Sequence, residues 1–91
     1  MSIEDVLGSK GRIKILKALV REGQLNITQI VKRTSMHHKQ VEKHLKYLID
    51  KGYVEEIRSG RTRIFSLKLN NPKTLLLVKI ISTLLEEESI V

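Results

Sequence analysis

Apolar residues recur at helical spacing as far as Gly52 and at strand-like spacing beyond it, and this change of period organises the chain. A first helix is predicted from Lys10–Arg12 to Glu22, with Ile13, Leu16, Leu19 and Val20 on one stripe and Lys14, Lys17 and Arg21 outside it. Gly23 stops it, and a short segment before it, Ile3 to Leu7, forms a turn of helix packed back on the domain. Leu25 and Ile27 suit a very short strand. Asn26 or Thr28 then caps a brief helix carrying Ile30 and Val31 to about Thr34. Residues 35–37 make a tight turn. The next helix runs from His38 to Lys51 with Val41, Leu45, Leu48 and Ile49 inward, and Gly52 ends it.

The following segments, YVEEI and TRIFSLKL, are rich in β-branched and aromatic residues and read as two strands joined by RSGR, where Gly60 can take positive φ. Ile64, Leu67 and Leu69 do not alternate perfectly, so a bulge or an end twist is expected in the second strand. Asn71 and Pro72 open a last helix that is apolar nearly all round. The chain is therefore mainly α with a small antiparallel β-wing: a three-helix core, a basic hairpin and a terminal helix, the order of a winged helix-turn-helix. Residues 1–70 form that domain, and residues 71–91 form a C-terminal dimerisation helix.

Charge sharpens the picture. The 91 residues carry a formal net charge of +7, and residues 1–72 hold 15 basic against 7 acidic side chains. Residues 73–91 hold 2 and 3. A basic body of this size most often meets nucleic acid, while its greasy, near-neutral terminal helix needs burial on more than one side. A second copy of the chain is the simplest cover, with Leu75, Leu77, Val78, Ile81, Leu84 and Leu85 as the dimer residues. The opening MSIEDVLGSKGRIK turns polar within a few residues, and the longest apolar run, TLLLVKIISTLL, is short and carries Lys79. No membrane association and a cytoplasmic location are expected.

Nothing in the sequence sets a nucleophile beside an oriented base, and no glycine-rich phosphate loop occurs, so no catalysis is expected. The chain has no cysteine. His37, His38 and His44 are spaced six and seven residues apart at the wider pairs, which does not converge on a metal as an i, i+4 pair would. No metal and no cofactor are expected.

The stripe of Val41, Leu45 and Leu48 turns His38, Lys39, Gln40, Glu42, Lys43 and Lys46 outward or to the flanks. Gln40 can pair with an adenine edge, and Lys39 or Lys43 can reach guanine or a phosphate. Glu42 is awkward beside a polyanion: it accepts from a cytosine amino group or pairs within the helix with Lys39 or Lys46. His44 lies beside the core stripe and reads as a half-buried structural residue. In the hairpin, Arg58, Arg61 and Arg63 surround Gly60, and alternate strand positions place Arg61 and Arg63 on one face. Those arginines can enter a minor groove or guard an edge strand against aggregation.

The stretch LNITQIVKRTSMHHKQVEKHLKYLIDKGYVEEIRSGRTRIFSL resembles the winged helix-turn-helix regulators of the ArsR and MarR type, especially their small archaeal members. VEKHLKYLIDKGYVE carries most of the likeness. The resemblance implies a homodimeric transcriptional regulator that binds double-stranded DNA, with helix 38–51 in the major groove and wing residues 58–63 on the backbone or minor groove; an architectural, chromatin-like DNA-binding protein with little sequence preference and a winged-helix module that binds protein stay open as alternatives. The resemblance also puts His37 where such proteins have a helix-capping polar residue, so a cap or a phosphate contact is expected of it. Many ArsR-type sensors bind metals through cysteines in the recognition helix or through His and Asp on the last helix. This chain has no cysteine, and residues 72–91 contain neither His nor Asp, so metal sensing is not expected.

Overall fold

The computed structural model describes residues 3–90. Its elements run α1 (Ile3–Leu7), α2 (Lys10–Glu22), β1 (Gln24–Asn26), α3 (Ile27–Thr34), α4 (His38–Asp50), β2 (Val54–Ser59), β3 (Thr62–Leu67) and α5 (Pro72–Glu88). Each helix boundary has a local chemical cause. The Ser9 hydroxyl accepts from the Arg12 amide at 3.3 Å to open α2, and Gly23 at φ 87° closes it. Asn26 and Gln29 form a capping box on α3, each side chain accepting from the other's backbone N–H at 2.9 and 2.8 Å. Ser35 then takes the left-handed conformation, φ 57°, and turns the chain sharply into α4.

Three antiparallel strands order β1-β3-β2, with Leu25 opposite Phe65 and Val54 opposite Leu67. Pairing between β2 and β3 is one-to-one from Val54–Leu67 to Ser59–Thr62, so of the two alternatives read for this strand the bulge is absent from the hairpin. Ile27 opens α3 rather than extending the short strand, because the Asn26 cap ends β1 there. The apolar stripe of α2 is also rotated from its sequence reading. Ile15, Leu16, Ala18 and Leu19 are buried, while Ile13 and Val20 sit at the margin.

One core joins every layer: Val6 from α1, Leu16 and Leu19 from α2, Val41 and Leu45 from α4, Phe65 from β3 and Leu77 and Ile81 from α5. The start of α5 is fastened to the end of α4. Gly52, at φ 84°, presents its carbonyl to the Asn71 amide at 2.9 Å and the Thr74 hydroxyl at 3.2 Å, and Asn71 Oδ1 also accepts from the Lys73 amide. This pin connects the element that faces outward with the helix read as the dimer element.

Candidate nucleic-acid interface

Helix α4 is amphipathic in the way its sequence implies. Val41, Leu45 and Leu48 are buried, and His38, Lys39, Gln40, Lys43 and Lys46 are all exposed on the opposite side. The left-handed turn at Ser35 and the packing of α3 against α4 fix this face, since α3 carries only eight residues and buries Ile30 and Thr34. Thr34 holds the turn together: its hydroxyl donates to the Ile30 carbonyl at 2.8 Å and accepts from the Met36 amide at 3.3 Å. His37 occupies the N-cap position, but its side chain makes no capping hydrogen bond. The expected cap is therefore not formed, and the exposed imidazole is left pointing outward with His38 at the positive end of the helix dipole.

His44 is half-buried against α2. An added Cβ at Gly11 would lie 2.5 Å from His44 Nε2, so a larger residue there would have to displace the imidazole. Burial, and then the Arg12 and Lys43 charges, hold the imidazole below its ordinary pKa. His44 is neutral at pH 7 and serves packing, as its position beside the core stripe implies. Arg12 lies over the Tyr47 ring at 3.6 Å and donates to the Asp5 carbonyl at 2.7 Å, tying α1, α2 and α4 together. Lys10 and Lys14 of α2 share a shallow cleft with Gln40 and His44, so two further cations flank the recognition face.

The wing departs from its sequence reading. Arg58 is in β2 and exposed, Arg61 lies in the two-residue turn with Gly60 (φ 61°), and Arg63 lies in β3. Arg61 and Arg63 are thus not neighbours on one strand face. Arg63 turns toward α4 instead. Its Nη1 donates to Glu42 at 2.7 Å, while its Nε and Nη2 donate to the two carboxylate oxygens of Glu56 at 3.0 and 3.2 Å. Arg58 approaches the same Glu56 carboxylate at 3.5 Å. The Arg63 hydrogen bonds, outweighing desolvation, hold the Glu56 carboxyl below its usual range, and the two glutamates raise the Arg63 guanidinium. Glu42 meets Arg63, across from the helix, rather than the Lys39 or Lys46 of the intrahelical reading. Arg58 and Arg63 stand directly opposite each other, which is unfavourable for like charges, and Glu56, two positions earlier on the same face as Arg58, offsets part of that repulsion.

The exposed polar and cationic groups of these elements therefore comprise His37 just before α4, His38, Lys39, Gln40, Lys43 and Lys46 on it, and Arg58 and Arg61 on the wing. Glu42 and Arg63 are withdrawn into a shared contact. Among the described residues no group of three or more His, Cys, Asp or Glu converges as a metal site, and no helix is long and apolar enough to cross a membrane.

Residues 9–56 match the family described as bacterial regulatory protein, arsR family. The chain belongs to the ArsR family. Among solved structures, the antimony-specific transcriptional repressor AntR superposes with a TM-score of 0.76 at 26% identity, covering 94% of this chain and 76% of that one. The transcriptional repressor PagR of Bacillus anthracis gives 0.73 at 28% identity, with 89% and 86% covered. The homodimeric winged helix-turn-helix DNA-binding domain Mb0332 from Mycobacterium bovis, at 21% identity, TM-score 0.74 and coverage of 93% and 76%, shares the fold. No curated protein sequence matches the chain. This ArsR-family protein is a sequence-specific DNA-binding transcriptional regulator with the fold its helix, hairpin and terminal-helix order implied.

Of the residues expected at a dimer seam, Leu77 and Ile81 are 0% exposed within one copy, while Leu84 and Leu85 pack half-buried against the same core. Leu75 and Leu76 are 51% and 53% exposed, with Leu69 just before the helix at 55%. Sequence reading counted α5 as apolar all round. In the fold its inner half belongs to the protomer, and its outer apolar surface is confined to the first turns.

Proposed function

We propose that this ArsR-family regulator acts as a homodimer whose two α4 helices enter successive major grooves about 34 Å apart on a two-fold symmetric site. The observation that carries the reading is the face of α4, where five exposed polar or cationic side chains, His38 to Gln40, Lys43 and Lys46, stand over a fully buried apolar stripe. Gln40 is the base reader, through its paired amide donor and acceptor, with Lys39 and His38 beside it. Lys43, Lys46, Lys10 and Lys14 hold phosphates, and Arg58 and Arg61 lie on the backbone or in the minor groove. Lysines and arginines supply most of the affinity by releasing counterions, and the base contacts supply the discrimination.

Pairing runs through the outer surface of α5 and its approach, Leu69, Leu75 and Leu76, with the half-buried Val78 continuing the apolar surface. The pin from Asn71 and Thr74 to Gly52 then joins the dimer helix to the end of the recognition helix, which fixes the distance between the two reading heads. The protein works in the cytoplasm without a cofactor or catalytic step. These 91 residues contain no cysteine, so a thiolate site for a soft metal or metalloid cannot be built from them. The likeness of VEKHLKYLIDKGYVE to small archaeal regulators is part of the same reading.

Footprinting on a site selected from a random DNA pool tests it. Two protected major-groove segments separated by about one helical turn, 10 to 10.5 base pairs centre to centre, are expected. Protection of a single segment at saturating protein contradicts the two-headed arrangement.

A further inference from the structure

A carboxylate in the middle of a helix that faces a polyanion opposes binding, unless something else requires it there. Glu42 is that carboxylate. It is not spare: Arg63 Nη1 donates to it at 2.7 Å, while Nε and Nη2 of the same guanidinium engage both oxygens of Glu56 at 3.0 and 3.2 Å. All three guanidinium nitrogens are used, two on the wing's own β2 strand and one on α4. A guanidinium is planar and its N–H directions are fixed, so three such contacts set the position of α4 relative to the hairpin as well as their attraction. The base of the clasp is firm. Arg63 lies 5.3 Å from the ring of Phe65, which is completely buried, and Glu56 is also drawn toward Arg58 at 3.5 Å.

We infer that Arg63 is a positioning residue that clasps the wing to the recognition helix through Glu42, fixing the spacing between the base readers on α4 and the arginines at the wing tip. The inference rests on the DNA-binding reading above. A wing held at fixed spacing gains its full contacts only when the helix sits at the right base step. A wing on a loose hinge gains them on any duplex. The clasp therefore favours discrimination at some expense in raw affinity, because it keeps a carboxylate near the phosphates and keeps Arg63 away from them.

The test is a double-mutant cycle on competition binding to a selected site and to random duplex, with Glu42→Gln, Arg63→Lys and the pair. Glu42→Gln should tighten random-DNA binding by about two- to tenfold at low salt and lower the ratio of specific to random affinity. Arg63→Lys keeps the charge but not the fork, so it should keep the salt dependence, tighten random-DNA binding modestly and lose discrimination. In the Arg63→Lys background, Glu42→Gln should cost little further discrimination. Hydrogen exchange in the DNA-free protein should quicken at wing amides 54–67 in either single variant, with the unfolding midpoint serving as a fold check. Wild-type discrimination in Arg63→Lys, or equal and independent losses in the two backgrounds, overturns the clasp. Failure of the wild-type protein to bind any duplex overturns the DNA reading itself, which separates the two failures.

Discussion

Replacing Leu75 and Leu76 together by alanine tests where one copy meets the other. Both side chains are about half exposed, 51% and 53%, on the outer face of α5. Full burial of a leucine is worth about 1.5–3 kcal/mol, so covering the exposed half contributes roughly 1 kcal/mol per leucine. Two leucines on each of two protomers then contribute about 4 kcal/mol, which is about three orders of magnitude in the dimer dissociation constant. Alanine keeps part of that contact, so a weakening of about a hundredfold or more is the expected result. Sedimentation velocity across a protein dilution series reads this directly. Thermal unfolding extrapolated to low concentration should barely move, because neither side chain belongs to the buried core. A control separates the two faces of the helix. Leu77→Ala, at 0% exposure, should lower folding stability by about 2–5 kcal/mol through the cavity it leaves. If the Leu75→Ala/Leu76→Ala variant dimerises like the wild type, the outer face of α5 is not the seam.

Three other outcomes are expected. Gln40→Ala should lose about 1–3 kcal/mol of discrimination at one base position in competition binding, and equal loss on cognate and random DNA would show that Gln40 reads no base. His44, whose pKa is lowered in the fold, contributes stability that is complete above the unfolded imidazole value near 6.5 and is lost as pH falls below it. Urea unfolding between pH 7.5 and 5 should show that decline, and a His44→Gln variant should flatten it. Asn71→Ala removes both the cap of α5 and the bond to the Gly52 carbonyl, so a loss of about 0.5–2 kcal/mol is expected in the same assay; an unchanged midpoint would discount the pin.

Much of this fold was legible because local chemistry and hydrophobic period agree. Asn26 as one of the two caps read for α3, the glycine stops at 23 and 52, the turn at Gly60 and Pro72 at the start of α5 each follow from side-chain chemistry over three or four residues, while the reciprocal bond from Gln29 was not read. The outward set on α4 followed from the Val41–Leu45–Leu48 stripe in the same way. What was not legible depended on contacts between elements distant in sequence. Arg63 meets Glu42 across 21 residues, and only the strand register, with Arg58 opposite Arg63, shows why Glu56 is useful on the same face. The two faces of α5 were indistinguishable for a related reason. Leucines at 75, 76 and 77 are identical in type, and only the angle at which the helix lies on α2 decides that Leu77 is inside. His37 shows the limit of position alone: it stands at the N-cap, yet its side chain makes no capping bond.

In the proposed function α4 reads bases while the surrounding cations hold the backbone. Competition between a pool-selected duplex and random duplex of equal length, at fixed near-physiological salt, tests it most directly. A preference for the selected site of about 10³-fold or more is the outcome this structure predicts. Equal affinity for the two duplexes, with the strong salt dependence of phosphate contacts alone, would contradict it.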